Sequence, residues 1–123
     1  MAKQSTFRVE DAEWSKTIIK VLEEFRKINP DITANQMLTF LHIGVNPGVS
    51  QKKLTELVNV DDATVSRISA LLSERGSRGR EGLKMIEIKL DENDYRFRVQ
   101  HLSRGGKLIF DSLRDIMMAF KSK

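Results

Sequence analysis

The sequence predicts a mainly α-helical domain completed by a β-hairpin. Apolar residues recur at steps of three and four through most of the chain, the period changes to two between residues 85 and 101, and helix-capping residues stand where one periodic segment gives way to the next. A chain of 123 residues, 40% of them hydrophobic, fits one domain able to bury a modest core.

The first predicted helix covers residues 11–28, where Trp14, Ile18, Val21, Phe25 and Ile28 form a seam. Such a stripe suits either the chain's own core or a second subunit. Asn29-Pro30 ends it, because proline disfavours helical geometry in the residue before it. Thr33-Ala34-Asn35-Gln36 then matches a capping box, in which the threonine hydroxyl and the glutamine amide satisfy each other's backbone N–H groups. Met37, Leu38, Phe40, Leu41 and Val45 make the second helix apolar over a wide arc, as expected of a buried central helix. Asn46-Pro47-Gly48 closes it.

Two short helices follow. Ser50 is a good N-cap for residues 51–58, which carry Leu54, Leu57 and Val58 on one side. Asn59-Val60-Asp61 forms the turn, with Asn59 suited to the left-handed conformation. Asp61 or Asp62 caps the next helix, whose inner face is Val65, Ile68, Leu71 and Leu72. The pair, residues 50–74, has the dimensions of a helix-turn-helix.

Residues 75–82 contain three glycines and three arginines, Arg75, Arg78 and Arg80, and are expected to be irregular and flexible. Beyond them Met85–Leu90 alternates, with Ile86, Ile88 and Leu90 on one side. Arg96–His101 alternates too, with Phe97 and Val99 expected inward and Arg96, Arg98 and Gln100 outward. Turn-forming residues 91–94 join the two strands into a two-stranded antiparallel wing at residues 84–102. Ser103 caps a last helix, residues 103–121, lined by Ile109, Leu113, Ile116 and Phe120. The predicted fold is therefore a single winged helix-turn-helix domain of five helices and a two-stranded hairpin, spanning residues 1–123.

Composition narrows the function classes. The net charge of +4 is a mild cationic excess, compatible with a polyanionic partner. With no cysteine there is no disulfide or thiolate metal site, and two histidines, His42 and His101, are too few for a histidine cluster and read as structural or surface residues. Neither a signal-peptide core nor a run of roughly 18 apolar residues is present, so the expected location is the cytoplasm, with no membrane partner. No Gly-rich phosphate loop, nucleophile elbow or metal-ligand cluster occurs, so neither catalysis nor a cofactor is expected.

Four motifs stand in order. Ser50-Gln51-Lys52-Lys53-Leu54, Thr64-Val65-Ser66-Arg67, the Asp91–Arg96 segment with its D-x-x-D-x-R pattern, and Leu102–Leu108, which reads L-[ST]-x-x-G-x-L, together resemble the MarR family of bacterial transcription regulators, from about Thr33 to Leu113. The chain departs from that pattern in having Asn59 for the usual turn glycine, a longer Arg/Gly stretch before the wing, and a short C-terminal region. It would be a short, divergent member, and a phage-encoded one fits. The resemblance implies a sequence-specific regulator that binds double-stranded DNA as a homodimer on an inverted repeat, usually as a repressor, with a small-molecule effector in some members.

On that reading the recognition helix presents Ala63, Thr64, Ser66 and Arg67 to the major groove, where Arg67 can grip a guanine bidentately. Ser50, Gln51 and Lys52 open a helix whose free amides attract phosphate. Arg96 and Arg98 reach a minor groove or flanking phosphates, while Arg75, Arg78 and Arg80 form a phosphate-binding strip. The resemblance gives Asp94 and Arg96 a second role as a turn-stabilising ion pair; DNA contact is the expected role of Arg96. Trp14, Ile18, Val21, Phe25, Ile109, Leu113, Ile116 and Phe120 are the expected dimer contacts. The alternative is an adaptor of the same fold that binds a protein, such as RNA polymerase or a replication component.

Overall fold

The computed structural model describes residues 9–76 and 79–121, with helices α1 (Val9–Ile28), α2 (Ala34–Val45), α3 (Gln51–Val58), α4 (Asp62–Leu72) and α5 (Arg104–Lys121). Each helix begins within about two residues of its expected start because the caps are local. Thr33 Oγ1 accepts from the Gln36 amide at 3.2 Å and Gln36 Oε1 accepts from the Thr33 amide at 3.0 Å, which completes the capping box. Ser103 Oγ accepts from the Gly106 amide at 2.9 Å to start α5. Replacing Thr33 with alanine removes one half of its box, and a loss of about 1 kcal/mol in urea unfolding is expected.

The sheet has three strands where two were expected. The strands β2 (Ile86–Leu90) and β3 (Arg98–Leu102) pair antiparallel, and a two-residue β1 (Val49–Ser50) pairs on the other edge of β3, in the order β1-β3-β2. A two-residue strand is too short to show alternation. It forms because Gly48, at φ +82°, turns the chain back so that its amide reaches Gln100 O at 2.9 Å.

The expected faces of β3 are also reversed. The strand starts at Arg98 rather than Arg96, since Asp91 and Phe97 close the hairpin loop through a 2.9 Å backbone bond. Gln100 pairs with Ile88 and Leu102 with Ile86, so Gln100, expected outward with the arginines, is fully buried. Phe97, expected inward, is 48% exposed, and Val99 and His101 share the opposite face of β3 from Gln100. Changing the parity of one strand sends every side chain to the other face.

Phe40 lies at the centre of the core, fully buried, with its ring edge-on to Phe25 (centroids 5.9 Å apart) and to Phe110 (6.2 Å). Around it pack Ile43, Leu54, Val65, Leu72, Met85 and Ile86. Two expected dimer contacts belong to this core: Phe25 and Leu113 are buried within the chain, because α1 and α5 pack on each other and turn these residues inward. Val21 and Ile109 are half-buried against the same core. Leu38 and Val45 of α2, expected in its buried arc, are exposed, and Thr39 and Ile43 take the inner positions. Among the described residues no helix is long and apolar enough to cross a membrane.

Candidate nucleic-acid interface

The candidate interface is built from three segments: the start of α3, the wing and α4. Ser50 caps α3, its Oγ accepting from the Lys53 amide at 3.0 Å, and it is also the β1 residue paired with Val99. The start of α3 is thereby held against the loop end of β3. Ser50, Gln51, Lys52, Arg96, Phe97 and Arg98 line one open groove of about 340 Å³, together with Asp62. Five residues expected to touch a polyanion, Ser50, Gln51, Lys52, Arg96 and Arg98, therefore share one surface.

The third segment is α4. Val65, Ile68 and Leu72 are buried, so the helix presents Ala63 and Arg67 outward, with Thr64 and Ser66 half-buried beside them. The left-handed Asn59 (φ 63°, ψ 49°) makes the tight turn from α3 that this placement requires. Asp61, rather than Asp62, is the cap: its carboxylate accepts from the Thr64 amide at 2.8 Å. Asp62 instead accepts from Gln51 Nε2 at 3.2 Å, across the helix-turn-helix. Arg67 Nη2 donates to Thr64 Oγ1 at 3.3 Å, which steadies the guanidinium on the exposed face.

Bonds from the Thr64 hydroxyl and amide hold the Asp61 carboxyl below its ordinary value of 3.8, with Arg67 adding to the shift. A carboxyl whose pKa is lowered by folding stabilises the fold above its unfolded value, and that contribution disappears as pH falls from there through the lowered value. Thermal melts of the unchanged protein should lose stability over that acid interval. Asp61→Asn, which keeps a capping oxygen, should flatten this part of the profile.

At the wing, Arg96 and Asp94 form a bidentate pair, Nε to Oδ1 at 2.9 Å and Nη2 to Oδ2 at 2.8 Å. Arg96 lowers the Asp94 pKa, and its guanidinium lies 5.6 Å from the centre of the Phe97 ring. The ion pair, the second of the two roles expected for Arg96, is thus present. The pair leaves the arginine 82% exposed, so it braces the guanidinium without hiding it.

The Arg/Gly segment is placed differently. Backbone bonds tie the chain on either side of it to α4, Gly76 N to Ala70 O at 2.9 Å and Leu83 N to Leu71 O at 2.8 Å. Gly82 passes so close to the Ser73 carbonyl that a Cβ would overlap it. Arg75 and Arg80 are exposed, but Arg75 lies beside the base of β2 with Ile86 and Ile88, outside the α3–wing groove. Arg78 lies outside the described residues.

Sequence reasoning missed the buried pair between Ser69 and Gln100, in which Ser69 Oγ donates to Gln100 Oε1 at 3.0 Å. Its trace in the sequence is that Gln100 is in phase with Leu102.

No family model matches the chain. A curated relative, the HTH-type transcriptional regulator YybA of Bacillus subtilis (strain 168), is 30% identical over 91 residues, covering 74% of this chain and 54% of the relative. The chain thus spans about half the length of the curated relative it matches. Among solved structures, the S. aureus MepR–DNA complex superposes with a TM-score of 0.67 at 20% identity, over 89% of this chain and 80% of that one. Streptococcus pneumoniae FabT in complex with DNA gives 0.64 at 25% identity, over 90% and 76%. MarR itself gives 0.56 at 21% identity, over 88% and 77%. The α3–α4 helix-turn-helix and the β2–β3 wing, together with these superpositions, give the chain the winged helix-turn-helix fold of MepR, FabT and MarR.

Proposed function

We propose that the protein is a sequence-specific regulator of transcription that binds double-stranded DNA as a homodimer on an inverted repeat and represses by occupying its site. The observation that carries this reading is that Arg96 and Arg98 line one groove with the start of α3 and with Asp62, the first residue of α4, on which Arg67 is exposed. A helix of this size fits the major groove, and braced arginines beside it suit the flanking phosphates or minor groove. MepR and FabT, whose structures are complexes with DNA, share this fold. Selection from a random duplex pool with purified protein tests the proposal: an enriched palindrome is expected, and no enrichment would overturn it.

The second copy would cover an apolar face formed by two helices that already pack together. Trp14, Ile18, Ile19 and Leu22 of α1 and Met117 and Phe120 of α5 are exposed on two helices that pack on each other, and exposed large apolar residues on neighbouring helices suit a subunit contact. Trp14, Ile18 and Phe120, among the expected dimer contacts, are exposed and open to such a partner, with Ile116 half-buried, whereas Phe25 and Leu113 are buried within the chain. Ile18→Glu should convert a sedimenting dimer to a monomer without unfolding it, since Ile18 is 46% exposed.

One observation favours the adaptor reading. Asp61 and Asp62 place two exposed carboxylates beside the α4 face, where they would repel phosphate. Binding to a protein partner that is insensitive to salt, with no affinity for duplex, would select that reading; duplex binding that weakens steeply with salt would exclude it.

A further inference from the structure

Gln100 is the point at which the three segments of the interface meet. Its backbone pairs with β1 through Val49 and with β2 through Ile88, and its carbonyl takes the Gly48 amide at 2.9 Å. Its side chain crosses to α4, where Oε1 accepts from Ser69 Oγ at 3.0 Å. Both residues are buried, Gln100 at 0% and Ser69 at 1% exposure. Ser69 stands two positions from Arg67 and Gln100 two from Arg98, while Val49 adjoins Ser50.

The bond is an odd choice for stability alone. Gln100 Nε2 is buried with no partner among the described atoms, and an unsatisfied buried donor carries its full desolvation cost. Two apolar side chains of similar shape would avoid that cost, since replacing both members of a buried polar pair is often neutral or stabilising. A directional bond does what apolar contact cannot: it fixes one distance and one angle between α4 and β3, whereas methyl groups can slide.

We propose that the Ser69–Gln100 pair is a positioning latch that holds the recognition helix and the wing at one mutual angle, so that Arg67 and Arg98 meet the same duplex in register. The latch rests on the DNA-binding reading above, and neither residue touches the nucleic acid.

The test compares the unchanged protein with Ser69→Ala/Gln100→Met, which replaces both members by apolar groups of similar length. Thermal melting should stay within a few degrees of the original or rise. Affinity for the duplex enriched from the random pool should fall about tenfold, the size of a typical contact-pair coupling, while affinity for an unrelated duplex changes by less than about twofold because phosphate contacts set it. Equal loss on both duplexes, or no loss on either, would overturn the latch.

A second measurement needs no DNA. The chain has no cysteine, so Ala63→Cys/Asn93→Cys accepts two spin labels, one on α4 and one at the wing tip. Their intrachain distance distribution should be narrow in the otherwise unchanged protein and broad in the double apolar variant. An unchanged distribution would overturn the latch. Failure of the unchanged protein to select any duplex, with the distribution still broadening, would count against the DNA-binding reading alone.

Discussion

Phe40→Ala should destabilise the protein by about 3–5 kcal/mol, the range for emptying a large aromatic site in a packed core. Phe40 is fully buried and touches the rings of Phe25 from α1 and Phe110 from α5, so one side chain joins three helices. The cavity would not collapse easily. Phe110 lies so close to Gly44 that any Cβ there would overlap its ring, which pins α5 to α2 one turn beyond Phe40. With total stabilities of about 5–15 kcal/mol for domains of this kind, the variant should melt far below the unchanged protein or be partly unfolded at room temperature. Equilibrium urea unfolding followed by circular dichroism reads the change. Val45→Ala on the same helix is the control: Val45 is 67% exposed, and a change within about 0.5 kcal/mol is expected. A similar loss in both would show that the burial of Phe40 is not what sets its cost, since alanine is the better helix former at either position.

The second large effect falls on binding. Arg67→Ala should cost about 1–3 kcal/mol in affinity for the selected duplex, roughly ten- to a hundredfold, if its fork grips one guanine. The loss should be confined to sequences carrying that base pair, and preference at that position should relax. Folding should be nearly unaffected, because Arg67 is exposed and its bond is a 3.3 Å contact to the neighbouring Thr64 hydroxyl. Fluorescence anisotropy across a panel of single-base variants, at two salt concentrations, measures both features. A uniform loss on all sequences with a salt slope smaller by about one would instead assign Arg67 to a phosphate. No loss at all would remove α4 from the interface.

These two residues were legible to different degrees. Phe40 stood in an apolar arc, but its place at the centre depended on Phe25 and Phe110, one from each flanking helix. Arg67 followed directly from helical phase: once Val65, Ile68 and Leu72 face inward, the position of Arg67 on the outer side is settled by 3.6 residues per turn. The same logic explains why Trp14 and Phe25 parted ways. Both belong to one seam, yet α1 extends past the core, so its C-terminal end buries Phe25 while its earlier turns leave Trp14 half-exposed.

Features written in neighbouring residues could be read before any coordinates. The Thr33–Gln36 box, the Ser50 and Ser103 caps and the left-handed Asn59 each join groups at most three positions apart or concern one residue's own backbone, so tertiary packing had little say in them. Long-range geometry settled the rest. In β3 the inward face holds Gln100, whose side chain meets Ser69, 31 positions away, and the third strand needs Val49 to pair with Gln100, 51 positions away by their numbering. An alternating run of six residues fits either parity about equally well until something lies across from it. In this chain a hydroxyl on α4 was what lay across from it.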